Sequence, residues 1–229
     1  MAHDSPQLLR IWMPIANAYA IHGERTVLVD TGTPGNARRI LGRLERHGIR
    51  PHDVSLILLT HGHLDHFGSA LELRDLTGAP IAIHADDAGA LRSGHNPPLT
   101  PINATARCMA PFFQRHVTPF EPDLLVDDGQ QLGAFGAAGR VISTPGHTPG
   151  SVSVWLPTGE LIAGDLLMGG YLGGYVLSAV PGYPYFLDDL QQTRQSIRKI
   201  SELAITKVYV GHGGPLRPDA IRKRFTRNG

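Results

Sequence analysis

Thr60-His61-Gly62-His63-Leu64-Asp65-His66 decides how this chain is read. Four side chains able to ligate a metal fall within six residues, directly after the apolar run Ser55-Leu56-Ile57-Leu58-Leu59. A short, branched, unbroken run of this kind predicts a buried strand. On extended backbone His61 and His63 are two positions apart, so both imidazoles project to the same side. Gly62 between them keeps the crossing tight and leaves room close to the backbone. Asp65 and His66 then open an amphipathic segment, Phe67 to Leu76, with Phe67, Ala70, Leu71 and Leu76 at helical spacing. A carboxylate in a first helical turn is favoured by the helix dipole and by the free amide donors there. One strand end and one helix start thus aim four ligands at one point, the pattern of a metal site.

The bulk properties set the frame for that site. The chain has 229 residues, 41% of them hydrophobic and 18% charged, enough apolar content for a sizeable core and too little charge for disorder. A formal net charge of +1 gives no global attraction to nucleic acid or an anionic membrane. The single cysteine, Cys108, excludes an internal disulfide framework and fits a reducing compartment. Met1 to Ala20 lacks the unbroken apolar core of a signal peptide, and no apolar run reaches membrane-spanning length. A soluble, cytoplasmic protein is expected; the oligomeric state is not readable.

Leu8 to Met13, Asn17 to Ile21 and Thr26 to Val29 read as strands, with a hairpin turn at His22-Gly23-Glu24-Arg25. After the break Asp30-Thr31-Gly32-Thr33-Pro34-Gly35, the residues Ala37, Ile40, Leu41 and Leu44 mark a helix face that Gly48 ends. Pro80 to His84 is a further strand, while proline-interrupted Ala85 to Asp123 reads as a segment crossing the surface and walling a pocket. Arg140 to Ser143, Val152 to Leu156, Leu161 to Ala163 and Lys207 to Val210 are strands, and Gly169 to Pro184 is expected as a loop. Leu187, Leu190, Ile197 and Ile200 line a helix, and a basic helix finishes the chain. Val27-Leu28-Val29-Asp30 is echoed by Leu161-Ile162-Ala163-Gly164-Asp165, a weak sign of duplication. Two sheets face to face with helices outside, an α/β four-layer αββα sandwich in a single domain over 1–229, are predicted.

Several strands run into a further metal-capable residue: Arg140–Ser143 into His147, Leu161–Ala163 into Asp165, and Lys207–Val210 into His212. Glycines and prolines flank these positions, as a site at one edge of a sandwich requires. Taken together, Asp30-Thr31-Gly32, the His61–His66 motif, His147, Asp165 and His212 resemble the metallo-β-lactamase superfamily of hydrolases in order and approximate spacing, over nearly the whole chain. The resemblance implies the αββα sandwich with a dinuclear site at one edge. It assigns His61, His63 and His147 to one metal and Asp65, His66 and His212 to a second. Asp165 would bridge the two, and Asp30 would orient ligands from behind.

That ligand set suits two divalent ions, zinc first, with iron and manganese also compatible because no thiolate takes part. Two ions about 3.5–4 Å apart share a water and lower its pKa enough to give hydroxide at neutral pH. The expected reaction is attack of this bridging hydroxide on the carbonyl of a thioester, ester or lactone of a small molecule, with Asp65 as the catalytic residue orienting the hydroxide. The family's true β-lactamases carry cysteine or serine where Asp165 stands, which disfavours antibiotic hydrolysis. The ligands look most like glyoxalase II, yet only 17 residues follow His212, too few for the glutathione-binding domain of full-length forms. Acyl-homoserine lactonases place a tyrosine three positions after the bridging aspartate, where this chain has Met168. Related alternatives are a persulfide dioxygenase with one iron and a phosphodiesterase acting on RNA. For the latter the basic tail Arg217, Arg222, Lys223, Arg224 and Arg227 would contact phosphate, but it reads better as a solvated helix face without interleaved aromatics. No nucleic-acid partner is therefore expected. A non-enzymatic metal-stabilised scaffold fits less well, since structural sites are usually closed and four-coordinate.

Phe112, Phe113, Met168, Tyr171, Tyr175, Tyr183, Tyr185 and Phe186 cluster in the two irregular segments, as pocket lining or as packing on the sandwich. His84 reads as a strand-end structural residue, His95 and His116 as surface histidines, and Cys108 as a small buried hydrophobe.

Overall fold

The alternation of apolar residues along the strands places three cores one above another in the computed structural model, which describes residues 7–113 and 115–225. β1 (Gln7–Ile11), β2 (Ala18–His22) and β3 (Thr26–Val29) form an antiparallel meander. The chain crosses through α1 (Ala37–Glu45) to β4 (Val54–Leu58), parallel to β3. It continues through α2 (Leu64–Phe67) and α3 (Ala70–Thr77) to β5 (Ile81–His84), parallel to β4. After α4 (Ala88–Ser93) and α5 (Ala104–Met109), β6 (Leu124–Val126) completes a six-stranded sheet in the order β1-β2-β3-β4-β5-β6. The second sheet begins with the meander β7 (Arg140–Ser143), β8 (Val152–Trp155) and β9 (Glu160–Ile162). β10 (Met168–Tyr171) and β11 (Val176–Gly182) pair as a separate hairpin. α6 (Leu190–Ser201) leads to β12 (Lys207–Tyr209), parallel to β9, giving the order β12-β9-β8-β7, and α7 (Pro218–Phe225) follows.

Successive side chains of a strand point to opposite faces, and the buried residues divide accordingly. From β3 and β4, Val27, Val29, Leu56 and Leu58 join Val152, Val154 and Ile162 in a core between the two sheets. Leu28 and Ile57, on the other face, pack with Ile40 and Leu44 of α1, Leu73 of α3 and Leu91 of α4. On the far side Leu161 and Val208 pack with Ile197 and Ile200 of α6 and Ile221 of α7. Helix, sheet, sheet, helix is thus the layer order, as predicted. β4 is covered on both faces, which is why its sequence is apolar without alternation. Each such Leu or Ile contributes about 1.5–3 kcal/mol by leaving water.

The echo between the halves has a structural counterpart. Each sheet makes two antiparallel pairings and then a parallel one, β3 with β4 and β9 with β12. The amide of Asp30 donates to Leu58 O, and that of Ala163 donates to Tyr209 O at the matching place. This topology puts the C-terminal ends of β3 and β4 at one edge of the first sheet, and those of β7, β9 and β12 at one edge of the second.

Several expectations are corrected. The helix expected from Phe67 to Leu76 is broken into α2 and α3 at Gly68-Ser69. There the amide of Gly68 donates to Gly32 O and the Ser69 hydroxyl to Thr33 O, so the chain dips to meet the loop after β3. Leu73 consequently turns inward, and Leu76 is 49% exposed. Gly169 to Pro184 holds most of the β10–β11 hairpin and is not a plain loop; its glycines, and a β11 in which only Pro181 is buried, carry no readable alternation. β6 has no sequence signal of its own, being three residues long with two of them exposed. Leu187 precedes α6, whose N-cap is Asp189, and Leu190 points outward. Cys108 is exposed, not buried. In the basic tail Arg217 pairs with Asp219 at 2.8 Å, while Arg227 lies outside the described residues, as does the Met1–Pro6 part of the N-terminal reading. No helix among the described residues is long and apolar enough to cross a membrane.

Candidate metal centre

All seven predicted ligands meet where the strand ends meet. His61, His63 and His147 form one group whose ligand atoms lie within 4.8 Å of one another; Asp65, His66 and His212 form another, and Asp165 joins His61 and His66 in a third. Asp165 Oδ2 lies 3.7 Å from His147 Nε2 and 3.2 Å from His212 Nε2, so it faces both outer groups. The backbone does not stay extended as expected: β4 stops at Leu58 and the chain bends through Thr60, His61 and Gly62. The bend, and not strand alternation, brings the two imidazoles together. His63 then serves as N-cap of α2, and its Nδ1 approaches His147 Nε2 at 2.9 Å. Asp65 sits in the first turn of α2 with Oδ2 3.3 Å from His212 Nε2. Gly211, between β12 and His212, has no alternative residue: a Cβ there would stand 2.0 Å from Asp165 Oδ1 and 2.5 Å from His66 Cε1.

Four of the five imidazoles are anchored through the ring nitrogen that faces away from the cluster. His66 Nδ1 meets Asp30 Oδ2 at 2.9 Å, His147 Nδ1 donates to Phe186 O at 2.9 Å, and His212 Nδ1 donates to Ile15 O at 2.8 Å. His61 Nδ1 is 3.0 Å from the Thr60 hydroxyl, which itself donates to Asp30. Such anchoring fixes ring orientation and leaves Nε2 for a ligand, the usual outer arrangement of metal-binding histidines. Asp30, expected to orient ligands, also accepts from the amide of Thr60 at 2.8 Å. Its backbone is left-handed, with φ 61°, which aims the carboxylate back under the cluster.

Inside the cluster, His61 Nε2, His66 Nε2 and Asp165 Oδ1 are buried without a hydrogen-bond partner. Each such atom costs about 1–3 kcal/mol if nothing satisfies it. Three unsatisfied ligand atoms facing one another, in an all-nitrogen-and-oxygen set, fit a bound divalent cation.

The protein's own charges divide the cluster. Burial pushes His61, His63 and His147 below the ordinary imidazole range, His63 to about 3. Burial opposes charge on His66 too, but Asp165, Asp30 and Asp65 outweigh it and hold that imidazole at about 9. His212 is raised well above its ordinary value by Asp165 and Asp65, again against burial. Asp65 and Asp165 stay below the carboxylate range because the facing histidines overcome the cost of burial. Three neutral imidazoles on one side are ready lone-pair donors; the other half releases protons when a cation binds.

Sequence reasoning missed the residues that brace the loops. Asp87, 6% exposed, accepts from the amide of Gly62 at 2.7 Å, the Thr148 hydroxyl at 2.6 Å and the amide of Gly150 at 2.8 Å. One carboxylate therefore ties the His61–His63 loop to the His147 loop. The space beside Gly62, where a Cβ would stand 3.1 Å from Asp87 O, is taken by this segment. In the sequence Asp87 is indistinguishable from an ordinary acidic helix start. Across the site Asn17 and Arg10 bind the backbone oxygens of Val210, Gly213 and Gly214, holding the His212 loop. His63, Asp65, His147, Asp165 and His212 form the floor of a cavity of about 240 Å³. His84 ends β5 as expected, and His95 and His116 pair with each other at the surface.

Comparison with known proteins agrees with this geometry. The family model described as the metallo-beta-lactamase superfamily matches residues 13–212. A probable metallo-hydrolase of Methanocaldococcus jannaschii is 29% identical over 202 residues, covering 86% of this chain and 87% of that protein. YflN of Bacillus subtilis, also named a probable metallo-hydrolase, is 28% identical over 230 residues, covering 93% of this chain and 86% of its own. Among solved structures, the BLEG-1 B3 metallo-beta-lactamase is similar with a TM-score of 0.72 at 26% identity, over 97% of this chain and 100% of that one. Matched along most of its length in sequence and in αββα layering, this chain belongs to the metallo-beta-lactamase superfamily.

Proposed function

We propose that the protein is a metal-dependent hydrolase cleaving an ester-type carbonyl bond (thioester, ester or lactone) of a small molecule. One observation carries the reading: five imidazoles and two carboxylates converge in one cluster, five of these seven side chains forming the floor of a cavity, with three buried ligand atoms of the cluster unpartnered. The relatives in M. jannaschii and B. subtilis, both named probable metallo-hydrolases, support it. His61, His63 and His147 would hold one ion, Asp65, His66 and His212 a second, and Asp165 would be shared. Zinc suits this set, with iron and manganese also compatible. Bound there, such ions supply Lewis acidity and a water acidic enough to ionise near neutral pH.

Every other step belongs to the chain. Asp65, held ionised by His66 and His212, faces the cavity, where it accepts a hydrogen from the attacking water and fixes its direction. Asp30 and the carbonyls of Phe186 and Ile15 keep His66, His147 and His212 from rotating as charge develops. Neither nucleic acid nor membrane enters this reading. The test is a substrate panel of thioesters, esters, lactones, a phosphodiester and glutathione persulfide, run with defined zinc, iron and manganese loading. Chelator-sensitive hydrolysis of carbonyl substrates is expected. Turnover confined to the phosphodiester or the persulfide would overturn the reading.

A further inference from the structure

Above its polar floor the cavity is walled by apolar groups from three separate segments. Leu99, Met109 and Phe113 come from the proline-interrupted segment, Met168 and Leu172 from the β10–β11 hairpin, and Phe186 from the stretch before α6. Phe113 and Phe186 meet edge to face, with ring centroids 5.6 Å apart. Among the described residues no lysine or arginine lines the cavity. The polar side chains in the wall are already engaged. Asn96 accepts from the amide of Leu64 at 2.6 Å and donates to Phe113 O at 2.8 Å. Tyr185 accepts from the amide of Leu172 at 3.0 Å, and Tyr175 donates to Pro14 O. At the mouth Ile15, Leu172 and Tyr175 stand 45%, 67% and 63% exposed, an apolar rim of the kind that marks a ligand groove.

We propose that this cavity is an acyl-chain site, so that the substrate carries an uncharged aliphatic acyl group; the proposal rests on the hydrolytic reading above. A carboxylate, phosphate or ammonium on that part of the substrate would lose its hydration against this wall and gain no charged partner, only a tyrosine hydroxyl such as that of Tyr185. An aliphatic chain loses nothing and leaves water. The volume of about 240 Å³ has room for roughly eight groups the size of a water molecule or a methylene. Each methylene buried there tightens binding roughly threefold to fourfold.

Straight-chain 2-alkanones from 2-butanone to 2-decanone have the carbonyl and the chain but no scissile bond. Their binding to the zinc-loaded protein is measured by calorimetry. The dissociation constant should fall threefold to fourfold per added carbon and level off once the chain fills the cavity. Met109→Trp, or Leu99→Phe should the first not fold, should move that plateau to shorter chains at unchanged metal content. Affinity independent of chain length, or tighter binding of the same ketones bearing a terminal carboxylate, would overturn the acyl site. Acetyl and octanoyl thioesters are assayed in parallel. Equal hydrolysis of both with flat alkanone binding sinks the acyl site and leaves the hydrolytic reading. Stepwise alkanone binding without hydrolysis of any carbonyl substrate keeps the cavity assignment and sinks the reading.

Discussion

Replacing Asp87 with alanine should weaken the metal centre from outside it. The carboxylate is buried and accepts three hydrogen bonds, from the amides of Gly62 and Gly150 and from the Thr148 hydroxyl. A hydrogen bond to a charged group is worth about 1.5–3 kcal/mol, and a buried donor left without a partner costs about 1–3 kcal/mol. Thr148 keeps a second partner, the Ser151 hydroxyl at 2.7 Å, so the two glycine amides carry most of the loss. The expected destabilisation is about 3–5 kcal/mol, a large share of the ~5–15 kcal/mol that holds a domain folded. Because these bonds fix the loops bearing His61, His63 and His147, zinc affinity should fall about 10–100-fold as well. Asp87→Asn, retaining one acceptor oxygen, should show roughly half the loss of stability. Urea unfolding gives the first quantity, with the slope unchanged if only the native state is affected. Competition for zinc with a chromophoric chelator gives the second. A change below about 0.5 kcal/mol, the size of an ordinary surface substitution, together with wild-type zinc affinity would refute the bracing role.

Three further outcomes follow from the same geometry. Asp65→Asn and Asp165→Ala should each lose one bound metal and most turnover, read by metal analysis and by the substrate panel; two metals with full activity in either would contradict their placement. Asp30→Asn isolates the orienting role, because asparagine tolerates the left-handed backbone at this position. Its zinc affinity should drop about 10–100-fold in competition titrations while urea stability changes far less. In chelator-stripped protein the denaturation midpoint should peak near pH 6.5. Above that value His66, facing Asp30, Asp65 and Asp165, is still charged when folded but neutral when unfolded, so stability falls as pH rises through about 9. Below it the unfolded histidines take up protons that buried His61, His63 and His147 refuse, so stability falls again. A midpoint rising steadily from pH 6.5 to 9 would contradict the charge division.

The sequence was most legible where one local pattern carried the information. β4 could be read because five adjacent residues are all buried, whereas the bend at residues 60–62 that carries His61 and His63 into the site has no signal in strand periodicity. His147, Asp165 and His212 stand out as candidate ligands because each follows a strand end, a signal that survives without knowing which strands pair. What could not be read depends on distant segments meeting. Asp87 looks like a helix-opening acid until Gly62 and Gly150 are seen on either side of it. The break at Gly68-Ser69 exists because the loop after β3 passes there, and nothing in Phe67–Leu76 announces it. The β10–β11 hairpin escaped because glycine carries no side chain to alternate. Residue type alone puts Cys108 inside, but α5 is short, with only Ala106 buried, and leaves the thiol outside.

Counting metal ions tests the central claim most directly. Protein saturated with zinc, freed of excess by gel filtration and analysed by plasma mass spectrometry should hold two ions per chain. His147→Ala and His212→Ala should each hold one, because these residues belong to different ligand groups. Less than one ion in the parent protein, or two retained in both variants, would contradict the account.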